Sequence, residues 1–203
     1  WFDRELNNTV YRLNDLFPTA EHANLGFVVM APRNEASPAA LIVDAIPDLS
    51  YYTYTGQFFP RWRYEKVAED EGMLAFGAAD HDGEVVDGYR RIDNITDHAL
   101  STFRTAYGDA ISKDDVFYYC YGLLHSPDYR ETYAADLKKM LPRIPLVTDP
   151  WPFITAGRAL SDLHLGYERV TPYPLTGLDD PAYPASGDDA AYRHFRVEKM
   201  TFA

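Results

Sequence analysis

The stretch SKDDVFYYCYGLLHSPDYRETYAADLKKMLPRIPL, at residues 112–146, decides the fold because it carries the clearest helix signals in the chain. Ser112 is a favourable N-cap, and Asp115 stands three residues later, where the acid of a capping box belongs. Apolar residues then recur at helical spacing, and we expect this helix to end near His125. These apolar residues are Val116, Cys120, Leu123 and Leu124.

A second helix is predicted immediately afterwards. Ser126 supplies its N-cap, and Pro127 takes the first helical position, where the missing N–H costs nothing. Pro142 ends the helix because proline cannot continue the hydrogen-bond ladder. Its apolar positions recur every four residues, at Tyr129, Tyr133, Leu137 and Leu141. The stretch therefore predicts two helices joined by a tight corner, with apolar faces that pack against each other or against a third element.

The sequence before this helix pair favours strands. Residues 25–31 and 39–45 are continuous apolar runs of the kind that form buried strands, and they can pair across the loop between them. Residues 48–54 and 57–64 are rich in aromatic side chains and flank a glycine. These two segments predict further antiparallel strands.

Two more helices have recognisable boundaries. Thr96 or Asp97 caps the first, which ends at Gly108. The Asp-Pro dipeptide at 149–150 opens the second, and Gly166 closes it. The expected apolar face is Leu100, Phe103 and Tyr107 in the first helix, and Phe153, Ala156, Leu160 and Leu163 in the second.

The order of elements predicts an α+β fold. We expect a β-rich antiparallel lobe at residues 1–95 and a mainly helical lobe at residues 96–203, with one core shared between them. We also expect a short helix within residues 1–17, an exposed acidic insertion at 65–87, and an irregular tail after Thr171.

The composition is that of a globular protein. Hydrophobic residues make up 46% of the 203 positions and aromatic residues 15%, which is enough for one substantial core. Cys120 is the single cysteine, so an internal disulfide is excluded and a reducing compartment is favoured. The sequence contains neither an apolar run of transmembrane length nor a signal peptide. We expect a cytoplasmic location and, because the chain opens with Trp1, a part excised from a longer polypeptide.

The net charge of −12 argues against a generic DNA-binding module, since phosphate neutralisation needs Lys and Arg. The charges are unevenly distributed, however. Acids crowd into residues 65–87 and 179–189, whereas arginines cluster near the aromatic segments. If the chain is one domain of a larger enzyme, other domains can supply most of the nonspecific attraction to DNA.

Four separated segments carry a family resemblance. They are FFPRWRYE at 58–65, YRRIDNITD at 89–97, FYYCYGLLHSPDYRETYAADLKKMLPRIPL at 117–146 and AGRALSDLHLGYE at 156–168. In this order they resemble the C-terminal region of the type ISP restriction-modification enzymes, and the resemblance spans residues 1–175. Members of that family are single-chain bacterial enzymes that join a nuclease, an ATP-driven translocase, an adenine methyltransferase and target-recognition parts.

The resemblance implies a division of labour. This chain would be the target-recognition and C-terminal part, which selects an asymmetric DNA site, while upstream domains methylate adenine and carry out ATP-driven restriction. The implied partners are double-stranded DNA and the upstream methyltransferase and translocase domains of the same polypeptide. S-adenosylmethionine, ATP and Mg would be cofactors of the full enzyme, and none is expected in this chain.

The motifs of the chain predict neither a catalytic residue nor a metal site. Asp128, Asp136 and Lys138 superficially match a nuclease pattern, but the two carboxylates would lie about 12 Å apart along one predicted helix, too far to share a metal ion. Residues 180–183, Asp-Pro-Ala-Tyr, lack the second proline of an amino-methyltransferase loop, and the chain has no P-loop. The histidines show no zinc spacing with each other or with Cys120.

The best candidates for DNA contact are the clustered arginines and one polar loop. In a single strand over residues 57–64, Arg61 and Arg63 would project to one face and Trp62 and Tyr64 to the other. Arginine suits bidentate contact with guanine or phosphate. The predicted DNA-binding residues are Arg33, Asn34, Ser37, Arg61, Arg63, Arg90 and Arg91.

Two alternatives stay open. The arginines can instead form ordinary ion pairs with nearby surface acids, which contribute little to stability. The chain as a whole can instead be a non-catalytic protein-interaction or structural domain that never contacts DNA. Salt-sensitive binding to duplex DNA separates these interpretations.

Overall fold

The structure is a computed structural model that describes residues 13–32, 38–48, 51–52, 56–67 and 83–171. Most of the helix predicted within residues 1–17, the centre of the predicted acidic insertion and the tail after Thr171 lie outside these ranges. One compact unit extends to Glu168, and a second begins at Arg169.

Two antiparallel sheets of three strands each are present in the described ranges. The strands are β1 (Gly26–Met30), β2 (Ala40–Val43), β3 (Gly56–Pro60), β4 (Trp62–Lys66), β5 (Val85–Val86) and β6 (Tyr89–Asp93). The first sheet has the order β2-β1-β3 and the second the order β4-β6-β5. The two strands predicted from the apolar runs are confirmed, and they pair with each other.

The prediction of one strand over residues 57–64 is wrong. Strand β3 ends at Pro60, which lies opposite Gly26 on the edge of the first sheet, where a proline is tolerated. The N–H of Arg61 still donates to the carbonyl of Leu25, at 2.7 Å, and the chain then enters the second sheet as β4. Residues 48, 51 and 52, from the other predicted aromatic strand, are not in a strand.

The helices follow the predicted caps closely. They are α1 (Leu13–Leu16), α2 (Asp97–Tyr107), α3 (Lys113–His125), α4 (Pro127–Thr132), α5 (Ala134–Leu137) and α6 (Trp151–Leu165), followed by a 3-10 turn at Tyr167–Arg169. The Thr96 hydroxyl accepts from the N–H of Ala99 at 3.1 Å. Ser112 and Asp115 form the complete capping box at the start of α3, as predicted.

The second helix of the central pair is not continuous. It breaks at Tyr133, which leaves the helical conformation with φ −104° and ψ 16°. Tyr129 and Leu137 are buried, whereas the break turns Tyr133 outward to 38% exposure. The Tyr129 hydroxyl donates to the carbonyl of Arg143 at 2.7 Å, which holds the following segment back against α4.

The core lies where the first sheet meets α3. The Phe27 ring packs at 5.2 Å from Phe117 and at 5.8 Å from Tyr121. The Tyr121 hydroxyl also accepts from the N–H of Ile42 in β2, at 3.0 Å. Strand and helix residues therefore belong to one hydrophobic cluster, and the predicted α+β class is confirmed.

The predicted face of helix α6 is only half correct. Phe153 and Leu160 are partly buried against the core, as predicted, whereas Ala156 and Leu163 are exposed. The fully buried residues are Ile154, Gly157 and Ser161. The reason is close backbone approach: a Cβ added to Gly157 would overlap the carbonyl oxygen of Tyr118 in α3. Apolar periodicity cannot reveal this face because glycine contributes no apolar side chain to the pattern.

His125, at the end of α3, gives a prediction for the pH dependence of stability. Its ring packs edge-on against Tyr121 at 4.7 Å and lies 5.5 Å from His164. The Nε2 atom is buried without a hydrogen-bond partner in the described part of the chain. Burial, followed by the charges of His164 and Arg130, lowers the pKa of His125 to about 4.

The folded chain consequently keeps His125 neutral at pH values where the unfolded chain protonates it. We expect the free energy of unfolding to fall as the pH drops from 6.5 towards 4, with no further loss from this residue below pH 4. His125→Phe should flatten this decline in urea titrations, whereas His98→Gln, at an exposed position on α2, should leave it unchanged. An equal decline in His125→Phe and the parent protein would contradict the assignment.

Candidate nucleic-acid interface

The register of the second sheet sorts the predicted arginines between its two faces. Arg63 lies opposite Ile92, and Glu65 lies opposite Arg90. Side chains directly opposite each other on antiparallel strands share a face, and successive residues alternate between faces. Arg63, Glu65 and Arg90 therefore occupy one face, which we call the outer face. Arg91 belongs to the opposite, inner face.

The inner face is covered by the chain that precedes β1. The Tyr64 side chain is buried, and its hydroxyl donates to the carbonyl of Ala23 at 2.5 Å. The His22 ring packs edge-on against Tyr64 and Tyr89, at 5.1 Å from each. Burial raises the pKa of the Tyr64 hydroxyl. This face thus anchors the second sheet to the rest of the fold.

The outer face carries the charged groups that suit DNA. An Arg63 Nη1 atom lies 2.9 Å from Glu65 Oε1, and the two side chains are 35% and 40% exposed. Arg90 is half-buried and stands across the strand pair from Glu65. Among the described residues, this face thus carries two guanidinium groups beside one carboxylate. Such a face can donate hydrogen bonds to phosphate or to guanine edges.

Arg91 lies at the inner face. Its guanidinium donates to Glu84 at 3.1 Å and lies 4.7 Å from the centre of the Trp62 ring. Its side chain is 39% exposed. The sequence brought Arg90 and Arg91 together as neighbours, but strand alternation separates their side chains.

Arg61 does not share a face with Arg63, so the predicted alternation is wrong at this residue. Arg61 lies between β3 and β4, is 3% exposed, and binds Asp93 and Asp114. A group that is desolvated and paired in this way holds protein elements together rather than presenting donors to solvent. We therefore leave it out of the interface proposed below.

The polar-loop residues Arg33, Asn34 and Ser37 lie outside the described residues, and their assignment to DNA binding stays a prediction. The predicted DNA-binding residues did not include the acids that form ion pairs with Arg61 and Arg63. These acids are Glu65, Asp93 and Asp114. One signal for Glu65 was available, because it follows Arg63 at the two-residue spacing that places both side chains on one strand face.

The described ranges contain no metal-binding cluster, activated thiol or helix suited to crossing a membrane. No group of three or more His, Cys, Asp or Glu residues in these ranges is placed to hold a metal ion. Burial raises the pKa of the Cys120 thiol to about 12, so this thiol is poorly suited to act as a nucleophile. Of the helices described, none has the length and apolar character needed to cross a membrane.

The solved structures that resemble this chain include three that are described as complexes with DNA or with a DNA substrate mimic. One is a cryo-EM structure of a DrdV–DNA complex, with 31% identity and a TM-score of 0.68 over 90% of this chain and 16% of that one. The second is the ATP-dependent Type ISP restriction-modification enzyme LlaBIII bound to DNA, with 28% identity and a TM-score of 0.65 over 82% of this chain and 10% of that one.

The third is a nuclease-deletion mutant of the Type ISP enzyme LlaGI in complex with a DNA substrate mimic. It has 33% identity and a TM-score of 0.61 over 85% of this chain and 13% of that one. No curated protein sequence matches the chain. The chain thus spans less than a fifth of the length of each of these structures.

A family model agrees with these similarities over the complete sequence. The model of the Type ISP C-terminal specificity domain matches residues 1–203, which include the four segments that carry the resemblance. The chain belongs to the Type ISP C-terminal specificity domain family.

Proposed function

We propose that this chain recognises the target DNA sequence of a Type ISP restriction-modification enzyme, and that the outer face of the second sheet contacts the DNA. The main support for this proposal is that the family model of the Type ISP C-terminal specificity domain matches residues 1–203. Three similar structures are described as complexes with DNA or a DNA substrate mimic, and each is much longer than this chain.

The proposed division of labour rests on the family to which the chain belongs, and the greater length of the similar structures leaves room for further domains. Upstream domains of the same polypeptide would methylate adenine with S-adenosylmethionine and drive translocation and cleavage with ATP and Mg. This chain would select the asymmetric site for both activities. A cytoplasmic location goes with this function, because the DNA that is modified and restricted lies there.

The acidic composition limits where DNA can bind. A net charge of −12 repels the phosphate backbone as a whole, so contact requires a local surface of the opposite sign. Arg63 and Arg90 place two guanidinium groups on the outer face. Glu65 lies beside both in the register and pairs with Arg63 at an exposed position, so a DNA phosphate or base edge competes with this carboxylate for Arg63.

Arg63→Ala and Arg90→Ala in the full-length enzyme test this proposal. If either guanidinium reads a guanine edge, its loss should cost about 1–3 kcal/mol and relax preference at one base position. If it contacts only phosphate, all sequences should weaken together, and the slope of log K against log salt should fall by about one. Binding and methylation would be measured on a panel of single-base variants of the site.

Lys139→Ala is the control, since it removes one exposed positive charge outside the sheet. We expect it to leave base preference unchanged. If Arg63→Ala and Arg90→Ala both keep the parent affinity and preference, the outer face is not part of the interface. If, in addition, deleting this chain from the full-length enzyme leaves its affinity and base preference for duplex DNA unchanged, the alternative of a protein-interaction domain is favoured instead.

A further inference from the structure

Arg61 occupies the junction between the two sheets. It is the single residue between β3, in the first sheet, and β4, in the second. Its N–H donates to the carbonyl of Leu25 at 2.7 Å, and its own carbonyl accepts from the N–H of Asn94 at 3.2 Å. The backbone is therefore held on both sides at the point where the chain changes sheets.

The Arg61 guanidinium joins the second sheet to the helical core. Its Nη1 and Nη2 atoms donate to the two oxygens of Asp93, at 2.6 and 3.0 Å. Its Nε atom donates to Asp114 Oδ1 at 2.8 Å. Asp93 is the last residue of β6, and Asp114 lies in the first turn of α3. One planar group thus connects a strand of the sheet to a helix of the core.

Asp93 extends this connection into the chain that follows β6. Its Oδ1 atom also accepts from the N–H of Ile95 at 2.8 Å, which directs the chain from β6 towards α2. The two-pronged contact between Asp93 and Arg61 restricts rotation as well as distance, because both groups are planar and rigid. A lysine at position 61 would keep the charge but lose this directional constraint.

Burial of the Arg61 guanidinium is a poor device for stability alone, since its desolvation offsets much of the attraction to Asp93 and Asp114. What this geometry supplies is a fixed orientation of the second sheet relative to α3. The strand that begins immediately after Arg61 carries Arg63, and the strand that ends at Asp93 carries Arg90. Both guanidinium groups of the outer face therefore lie within three residues of the connection to α3.

We propose that Arg61 is a positioning residue for DNA recognition. Together with Asp93 and Asp114, it holds the second sheet at a fixed angle to the helical core, so that Arg63 and Arg90 meet the base edges in register. Arg61 itself does not contact DNA. This inference rests on the proposed function of the outer face.

The test uses the full-length enzyme with Arg61→Met, which keeps the length of the side chain and removes its charge and donors. Asp114→Asn is a milder second variant, because that carboxylate is 53% exposed. The matched control is Arg158→Met, which breaks another ion pair to the first turn of α3, the 2.9 Å contact between Arg158 and Asp115. That pair joins α3 to α6 and, within the described ranges, has no bond to the second sheet.

The measurement is the ratio of affinities for the cognate site and its single-base variants, taken well below the melting temperature of each protein. We expect Arg61→Met to reduce this ratio by about 10- to 100-fold, the scale on which small misplacements of a site act. Nonspecific DNA binding and its salt slope should stay at the parent values, because no phosphate contact is removed. Asp114→Asn should reduce the ratio less, and Arg158→Met should not reduce it.

A lowered melting temperature with an unchanged ratio in Arg61→Met would show a purely structural role and overturn the inference. If Arg61→Met instead lowers the slope of log K against log salt by about one, Arg61 binds phosphate, and the inference is also overturned. If Arg61→Met does not fold, an unchanged ratio in Asp114→Asn overturns the inference and a reduced ratio supports it. Failure of the proposed function can be distinguished from failure of this inference. It would appear as unchanged affinity and unchanged base preference in both Arg63→Ala and Arg90→Ala.

Discussion

Replacing Gly157 with alanine is expected to lower the free energy of unfolding by at least about 2 kcal/mol, although alanine favours an isolated helix over glycine by about 1 kcal/mol. The new Cβ would overlap the carbonyl oxygen of Tyr118 and lie 3.0 Å from the backbone nitrogen of Gly122. Both obstacles are backbone atoms, which no change of rotamer can move. Helices α3 and α6 would have to separate, and this would open the core around them.

The same reasoning applies from the other helix. A Cβ on Gly122 would overlap the carbonyl oxygen of Phe153 in α6, so Gly122→Ala should have an effect of similar size. Urea denaturation of both variants gives the change in free energy. Ala156→Ser, which adds one heavy atom at an exposed position next to Gly157, should change stability by less than about 0.5 kcal/mol. A gain in stability for Gly157→Ala would show that the helices do not approach as described.

The helix boundaries were predictable because their causes are local. Ser112 and Asp115 lie three residues apart, and their reciprocal bonds need no information from the rest of the fold. The same holds for Thr96 and for the end of α2 at Gly108, whose φ of 92° suits glycine. A local signal also stands at the end of the predicted insertion, where Asp87 and Gly88 form a two-residue hairpin turn with φ values of 47° and 77°, as an Asp-Gly pair favours.

The predictions that were wrong concern features that depend on contacts between residues far apart in the sequence. The point where the aromatic run leaves the first sheet is held by Asn94, which binds the carbonyls of Pro60 and Arg61 and which the run itself does not specify. The buried face of α6 is set by the glycine of a helix more than 30 residues earlier. The break at Tyr133 leaves the four-residue apolar spacing intact in sequence while removing that residue from the buried face.

The same contrast between local and distant causes applies to the candidate site. Strand alternation correctly assigned Arg63 and Tyr64 to opposite faces, because that rule is local to β4. The burial of Arg61 was not predictable from its own segment, since its partners Asp93 and Asp114 lie 32 and 53 residues away. Arg61 follows a proline and lies where the chain passes from the first sheet to the second. A charged residue in such a position is better interpreted as a candidate for a buried ion pair than as an exposed cation.

Leu123→Ala should cost about 2–5 kcal/mol, the range for deleting a large apolar side chain from a packed core. Leu123 is 2% exposed and lies on α3 in the hydrophobic cluster that joins the helices to the first sheet. Its neighbours cannot close the space easily, because α3 is held against α6 by backbone contact at Gly122 and Gly157. A residual cavity adds to the loss of apolar burial, which places the expected value in the upper half of the range.

Leu137→Ala and Leu163→Ala provide the comparison that identifies the buried faces. Leu137 is 7% exposed on the short helix α5, where fewer constraints oppose collapse, so we expect a cost nearer about 2 kcal/mol. Leu163 is 47% exposed on α6, although apolar periodicity predicted it to be buried, and its truncation should cost less than about 1 kcal/mol. Thermal and urea unfolding of the three variants should therefore rank Leu123 first and Leu163 last. A cost for Leu163→Ala that equals that for Leu123→Ala would restore the face of α6 predicted from the sequence and contradict the helix crossing at Gly157.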